Sequence, residues 1–476
     1  MASSRSFLPG STLPSPACLW SVSACLLIYC IASAHCSLTF TDGMEEIRLV
    51  LLGFGSANRA LAQMLLDKSE KDQCLRVTAL GCTTKLVPWK VVCIITRRHG
   101  SVCVPCSSTT SEINVEDVLE RIESGGILDD TLVRNTVDTE TAATTPSTPS
   151  TTNAETIKLL NELGKTETAN IVIEAIPSNP KSDGEPAISF IRTALQAGMH
   201  VTSANKCPLA HKRNNEKETY FELQEIAKWN GNLYLHESAV MDGVPIFSLW
   251  NNTLPSATCT KIRGLLNSTT TMILSRMEGN IDKVVESSGQ VEHDGETFEE
   301  ALEAAKQMGI VEEDESLDID GWDSALKLRA LCVFLSSSVK LSTPEDYDVT
   351  IPPLEAIPRD SVGQIDPELI CTEFRTSRKK LRSVALAELV DLPSDSANNG
   401  RYHPAKTWKM SVQNEFLSPS DPLYNLNGTS ASVQLCTDVM GPISVVSTNP
   451  TIMDTAYGLF SDVVRIASQS TKCNMK

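Results

Sequence analysis

Two lysines and a group of carboxylates, far apart in the chain, are the residues best suited to chemistry. Val201-Thr202-Ser203-Ala204-Asn205-Lys206 is a short β-rich run that ends in a polar tip presenting one amine. Far downstream, Asp318-Ile319-Asp320-Gly321-Trp322-Asp323-Ser324-Ala325-Leu326-Lys327 sets a second amine among acids. Asp323 and Lys327 are four apart, so a helix carries them on one face; in most proteins such a pair is an exposed ion pair worth little. Upstream, Leu49-Val50-Leu51-Leu52-Gly53-Phe54-Gly55-Ser56-Ala57-Asn58 is an apolar run entering a glycine turn. Gly53 permits the tight turn, and Gly55 lets a pyrophosphate approach the backbone. Asn58 stands where a third glycine allows close helix–strand packing, so that contact must be looser or shifted. A phosphate-cradling turn, two amines and several acids point to an enzyme handling a nucleotide cofactor and a small amino-bearing substrate.

Position sharpens this reading. The glycine turn follows an apolar strand and precedes a helix, the context a dinucleotide site needs; Ser56, Ala57 and Asn58 then open that helix. Arg97 and Arg98 follow the second strand, where an NAD fingerprint places an acid; arginine there suits the 2′-phosphate of NADP. The alternative is a pair of solvated loop arginines. Lys206 ends a strand, so its amine reaches over the crevice outside the sheet's carboxyl edge. The acidic run Glu312 to Asp320 fails as a calcium loop, because the position for the closing glutamate falls on Lys327.

These groups require a scaffold, and the chain supplies a legible one. Ile47–Leu52 is a buried strand, followed by a helix over Arg59–Asp67. Lys90–Thr96 is a second strand, with residues 74–88 as an insertion before it. Ile171–Ala175 and His200–Ser203 are further strands, with a helix over Pro186–Ala197 that Gly198 stops. Alternating strand and helix predicts a Rossmann-type doubly wound parallel sheet. Beyond about residue 235 the pattern is mixed, an α+β region with helices over Leu265–Met277, Phe298–Met308 and Trp322–Leu335. Residues 340–430 are proline-punctuated and strand-like, and Ala456–Ala467 is an amphipathic helix. Residues 136–153, rich in Thr, Ser, Pro and Ala, are a surface loop.

The chain has 476 residues, enough for two or three domains with large cores. Its net charge of −18 excludes docking on nucleic acid or anionic lipid, which needs clustered Lys and Arg. Fifteen cysteines, odd in number and scattered, are expected to be mostly reduced thiols. Cys103-x-x-Cys106 lacks the second ligand pair of a metal site. Residues 1–43 stand apart: no acid precedes Asp42, residues 17–35 carry no charge, and Ala32-Ser33-Ala34 follows like a cleavage site. Asn267-Ser268-Thr269 is a glycosylation sequon, and Asn251 and Asn427 begin two more. A glycan on Asn267 would sit in the chemistry described below, so a cytoplasmic or plastid location is expected in preference to export.

The order of these pieces resembles homoserine dehydrogenase. Glu185-Pro186-Ala187 and Ala204-Asn205-Lys206-Cys207-Pro208-Leu209-Ala210 look like the family's G-E-P-A and A-N-K-G-P-L-A. His236 to Ile246 looks like its Y-E-A-x-V-x-x-G-x-P-I. Arg263 to Thr270 looks like G-I-x-N-G-T-T-N, continuing through Ile273-Leu274-Ser275 and Met277-Glu278, and Ala304 to Lys327 carries its acidic motif ending in lysine. The resemblance covers residues 45–335 well and the remainder less. Cys207 and Ser268 replace family glycines, Thr271 replaces an asparagine, and Ser447-Thr448-Asn449-Pro450-Thr451 stands where the family has a glycine-rich turn.

The resemblance implies reversible oxidation of L-homoserine to L-aspartate-4-semialdehyde with NAD or NADP, on the route to threonine, methionine and isoleucine. Lys327 matches the acid–base lysine and Lys206 a second active-site lysine. Glu312, Asp318 and Asp323 match substrate-holding carboxylates. Gly53, Gly55, Ser56, Ala57, Asn58, Arg97, Arg98, Ser203 and Lys206 fall on the cofactor side. Glu237, Val240 and Asp242 match a monovalent-cation site, usually sodium and partly backbone. The implied organisation is 44–238 for the dinucleotide and 239–451 for catalysis and homodimerisation, with 452–476 packing back on the first part; residues 1–43, from their composition, are a leader or a non-native N-terminal extension. Independently of the family, a lysine crowded by another amine gives up its proton more readily, which suits deprotonation of an alcohol. The alternatives are a sister oxidoreductase for another amino acid and an inactive regulatory relative.

Overall fold

The computed structural model describes residues 44–71, 73–78, 84–106, 110–135, 151–213, 217–278, 295–312, 314–339, 349–392 and 405–469. The described residues form one compact unit. The leader, most of the Thr/Ser/Pro-rich run and the tip of the expected insertion lie outside the described residues.

The first half is built from strands buried almost end to end, as a parallel sheet covered on both faces requires. In chain order it contains β1 (Ile47–Leu52), α1 (Ser56–Lys68), β2 (Cys74–Thr78), β3 (Thr84–Ile95), β4 (Ser101–Cys103), α2 (Val115–Glu123), α3 (Asn153–Lys165), β5 (Ile171–Glu174), α4 (Ala187–Gln196), β6 (His200–Ser203), α5 (Cys207–Ala210), α6 (Thr219–Trp229) and β7 (Tyr234–Leu235). The strand order is β7-β6-β5-β1-β3-β2, with β4 alongside β3. β1 runs parallel to β3 on one side and to β5 on the other. The chain therefore changes direction across β1, which opens a crevice at the carboxyl ends of β1 and β5. The expected Rossmann-type sheet is present.

Two local readings change. Residues 74–88 are not a separate insertion: β2 pairs antiparallel with the first half of β3, burying Leu75, Val77, Val87 and Trp89. Cys93 and Cys103 face each other across β3 and β4 and are joined as a disulfide, while Cys207, Cys259, Cys332 and Cys436 are free thiols.

The second half contains α7 (Ile246–Thr253), β8 (Cys259–Leu265), α8 (Ser268–Met277), α9 (Phe298–Gln307), α10 (Ser316–Ile319), α11 (Trp322–Val339), β9 (Val349–Thr350), α12 (Pro367–Ser377), β10 (Lys380–Asp391), β11 (Lys406–Leu417), β12 (Ala431–Thr437) and β13 (Ile443–Ser447). Its sheet has the order β9-β11-β10-β8-β12-β13 and is antiparallel except for β9 against β11. The helix expected from Leu265 begins at Ser268 instead. Leu265 pairs with Ser432 in the sheet, and the Asn267 side chain caps the helix by accepting from the Thr270 amide. α11 is apolar on all sides, with Leu326, Leu328, Leu331, Val333 and Leu335 all buried. Such a helix has no solvent face, and it packs between α5 and the sheet strands β8, β10 and β11.

The last helix, α13 (Ile452–Gln469), returns to the first sheet and packs against α1. The Met44 amide donates to the Ala467 carbonyl at 3.1 Å. Asp462, fully buried, accepts from the Thr202 hydroxyl in β6 and from the Glu237 amide, each at 2.9 Å. Burial, and then the nearby Glu237 charge, pushes its carboxyl up to about 7. Met241, Asp242 and Gly243 form a left-handed turn with φ of 58°, 54° and 81°. A Cβ on Gly243 would lie 2.3 Å from the Asp454 carbonyl, and one on Gly458 would lie 2.7 Å from the Gly243 Cα. α13 therefore sits on this turn backbone to backbone.

Gly243→Ala combines a left-handed strain with a backbone clash and is expected to destabilise the fold by about 3 kcal/mol; a thermal melt indistinguishable from wild type would contradict the close approach. Because Asp462 binds its proton more tightly folded than unfolded, its contribution to stability falls as pH rises from about 4 to about 7. Asp462→Asn removes this component. Denaturant titrations across that window should show a flatter pH dependence for the variant, and parallel curves would rule the linkage out.

Candidate active site

Lys206 is carried by the turn between β6 and α5, and that turn is pinned from below. The Ser203 hydroxyl donates to Glu174 Oε2 at 2.5 Å, and the Asn205 amide donates to Ser203 Oγ at 3.0 Å. Asn205 Oδ1 accepts from the Cys207 amide and the Ser178 hydroxyl, each at 3.0 Å. Glu174 is fully buried at the end of β5; burial raises its pKa despite the hydrogen bonds from Ser203, the Ile176 amide and Asn205. Ser203, which the resemblance places on the cofactor side, has a fully buried side chain that serves Glu174 and the lysine-bearing tip.

The two amines meet on one carboxylate. Lys206 Nζ lies 2.6 Å from Asp323 Oδ1, and Lys327 Nζ lies 2.9 Å from Asp323 Oδ2. Lys327 also donates to the Leu266 carbonyl at 2.8 Å, and Lys206 reaches Glu312 at 3.4 Å. Burial works against the charge on Lys206, but Asp323 and Glu312 outweigh it and hold the amine above its ordinary pKa. Burial likewise works against ionised Asp323, and the two lysines hold it well below the usual carboxylate range. The crowding expected between two bare amines is therefore replaced by a shared anion: Lys206 is kept charged rather than driven to lose its proton.

A second carboxylate backs the first. Asn267, at the start of α8, donates from its side-chain amide to Asp318 at 2.7 Å and to Asp323 at 2.9 Å. Asp318 also accepts from the Glu312 amide at 3.0 Å. Burial, and then the Asp323 charge, pushes Asp318 up to about 6. Glu312 is the outermost member, with its side chain 45% exposed. Lys181, from the segment after β5, pairs with Asp314 beside it. Lys206, Lys327, Asp323, Asp318 and Glu312, separated by up to 121 positions between residues 206 and 327, are thus one connected cluster. Asn267 at 4% exposure has its amide nitrogen between two carboxylates, so the folded chain leaves no room for a glycan there.

The glycine turn has the form a pyrophosphate needs. Gly53 has a φ of 78°, and a Cβ there would lie 2.8 Å from the Ala175 carbonyl. Nothing lies within 4 Å of a Cβ built on Gly55. α1 opens with no side-chain cap and no acid in its first turn, so the amides of Ser56, Ala57 and Asn58 face that space without a competing anion. Asn58 does not contribute its side chain: it is buried, and its amide donates to the carbonyls of Leu52 and Gly53 at 3.2 and 2.6 Å. It ties the turn to the helix in place of the missing third glycine. Arg97 and Arg98 are exposed beyond β3, whose last carbonyl, Ile95, accepts from the Gly53 amide at 2.9 Å. They stand beside the glycine turn and apart from the lysine cluster.

The segment read as a cation site is differently committed. The Glu237 carboxylate accepts from the amides of Phe247 and Ser248, at 3.0 and 3.1 Å, and pairs with Arg465 at 3.0 Å. A cation at this carboxylate would meet the guanidinium, so the Glu237 side chain does not fit the role. Asp242 accepts from the Thr455 hydroxyl at 3.3 Å. Only main-chain carbonyls around Val240 remain for such an ion. A cavity of about 320 Å³ beside Glu237, walled by Tyr220, Tyr234, His236 and Phe247, contains none of the lysine cluster.

Glu174 and Asn267 are the site residues that sequence reading did not assign. The signal for Glu174 is an ionisable residue closing an apolar strand, Ile171-Val172-Ile173-Glu174.

Comparison with known proteins agrees with this geometry. Residues 245–464 match the family model described as homoserine dehydrogenase. An NAD(+)-dependent homoserine dehydrogenase from Pseudomonas canavaninivorans is 26% identical over 431 residues, covering 90% of this chain and 98% of that protein. A homoserine dehydrogenase from Methanocaldococcus jannaschii is 29% identical, covering 64% and 74%. Among solved structures, homoserine dehydrogenase from Thermoplasma acidophilum superposes with a TM-score of 0.58 at 17% identity, covering 89% of this chain and 99% of that one. A hyperthermophilic archaeal homoserine dehydrogenase in complex with NADPH gives 0.57 at 22%, covering 88% and 97%. With two lysines gathered on one aspartate beside a dinucleotide-type crevice, and one relative matched along nearly its whole length, this chain is similar to the homoserine dehydrogenases in both sequence and fold.

Proposed function

We propose that this chain is a homoserine dehydrogenase, oxidising L-homoserine reversibly to L-aspartate-4-semialdehyde with NAD or NADP, in the synthesis of threonine, methionine and isoleucine. The observation that carries this reading is the Asp323 carboxylate held between Lys206 and Lys327, at 2.6 and 2.9 Å. Oxidising an alcohol requires a proton to leave the hydroxyl oxygen as a hydride leaves its carbon. The bound nicotinamide dinucleotide supplies the hydride acceptor. In this reading Lys327 exchanges the hydroxyl proton, its position set by Asp323 and the Leu266 carbonyl. Lys206 remains charged and steadies the oxygen as negative charge develops on it. Glu312, the most exposed acid of the cluster, receives the substrate ammonium, and Asp318 holds Glu312 and Asn267 in register.

The open space at Gly55 and the bare first turn of α1 support pyrophosphate binding. Arg97 and Arg98 support a 2′-phosphate, and so NADP. The sodium reading is retained only for main-chain carbonyls. The division into 44–238 and 239–451, with 452–476 returning to the first part, is supported by the two separate sheets and the packing of α13 on α1. The exposed Val439, Met440 and Val446 around edge strand β13 offer an apolar surface for a homodimer. Among the described residues no helix is long and apolar enough to cross a membrane, and a cytoplasmic or plastid site of action is part of the proposal.

The direct test is a spectrophotometric assay of the chain starting at Met44, with homoserine and each cofactor; no turnover with either one refutes the function. Lys327→Ala is expected to lower kcat by about a hundredfold or more, the scale of general acid–base groups, and near-normal turnover would remove it from that role. Arg97→Ala should raise KM for NADP much more than for NAD. An equal effect on the two cofactors would undo the 2′-phosphate assignment.

A further inference from the structure

Arg329, a cation at 1% exposure, takes no part in the chemistry above. It lies on α11, two residues after Lys327. Its guanidinium reaches three separate segments. Nε donates to the Pro352 carbonyl at 2.8 Å, and Nη2 to both carboxylate oxygens of Glu218 at 3.0 Å. Nη1 donates to the carbonyl of Ala210, the last residue of α5. Lys206 is the cap of that same short helix, and its own carbonyl accepts from the Ala210 amide at 3.2 Å. One turn of helix therefore separates the Arg329 contact from the Lys206 amine.

A buried ion pair is a poor means of stabilisation, because the cost of desolvating both charges offsets most of their attraction. Its useful property is geometric. A planar fork satisfied from three directions fixes the helix that carries it against each partner. α11 also carries Asp323 and Lys327. Sliding α11 along α5 would break the Arg329 contacts and open the 2.6 Å Lys206–Asp323 contact together.

We propose that Arg329 and Glu218 form a positioning clamp that sets α11 against α5, and through them Lys206 against Asp323 and Lys327. Neither residue touches substrate or cofactor. The inference rests on the cluster being the active site of the proposed dehydrogenase.

The test uses three variants of the full chain: Arg329→Lys, Glu218→Gln, and Arg329→Met with Glu218→Leu. The last replaces a buried pair with apolar groups, a change that proteins often tolerate in stability. Measured on each are kcat and KM for homoserine, NADPH affinity by fluorescence, the thermal midpoint, and the rate at which an amine-acylating ester labels Lys206 relative to exposed Lys228, read by peptide mass spectrometry. Displacement of the cluster should lower kcat by about tenfold to a hundredfold, leave NADPH affinity within about twofold, and speed Lys206 labelling as its pairing with Asp323 loosens. Any folded variant with unchanged kcat and unchanged Lys206 labelling overturns the clamp, as does a loss of kcat that only tracks the fraction unfolded. The labelling needs no turnover. If the wild-type chain fails to oxidise homoserine, the functional reading falls, while the labelling still decides whether Arg329 positions Lys206.

Discussion

The site depends on a single anion shared by two cations. Asp323 at 6% side-chain exposure would be costly to ionise alone, and Lys206 at 15% and Lys327 at 13% would be costly to charge alone. Together they offset one another, and the three charges become stable only in mutual contact. Removing the carboxylate would leave two like charges a few ångströms apart; removing either lysine would leave Asp323 with half its compensation. In the proposed reading the same carboxylate positions both amines, Lys206 as the fixed positive charge and Lys327 as the group that exchanges the proton.

The two sheets are the means of bringing these groups together. The parallel sheet delivers Lys206 on a turn pinned by Glu174 and Asn205. The antiparallel sheet supports α11, whose apolar circumference lets it lie between the halves with only Asp323, Lys327 and Arg329 as its charged members among residues 322–336. A helix that can face inward on every side brings its few polar residues into the interior wherever they fall, so each must find a partner there. Asp323 finds the lysines, and Arg329 finds Glu218 and two carbonyls.

Much of this was legible beforehand, for identifiable reasons. The run Leu49–Leu52 into Gly53 specifies its own strand and turn, because four consecutive buried residues and a glycine leave little choice. That Lys206 and Lys327 converge could not come from spacing, since nothing local links positions so far apart; it came from the resemblance. Side-chain direction was harder. The resemblance places Ser203 on the cofactor side, and nothing in the sequence shows that its hydroxyl is committed to Glu174, a buried acid that no periodicity reveals. The helix Pro367–Ser377 lies in a stretch whose prolines suggest strands, whereas proline is well tolerated at a first helical position. The disulfide between Cys93 and Cys103 depends on the antiparallel return of β4, which sequence did not disclose.

The hydrogen bond from the Met44 amide to the Ala467 carbonyl has a topological meaning. It brings the opening of β1 to the final turn of α13, so the described backbone is nearly a ring. For a ring, the place where it is cut is secondary to the contacts that close it. A circularly permuted gene, joining these two points by a short flexible linker and opening the backbone at an exposed turn such as Gly125–Gly126, would encode the same core with its ends moved elsewhere.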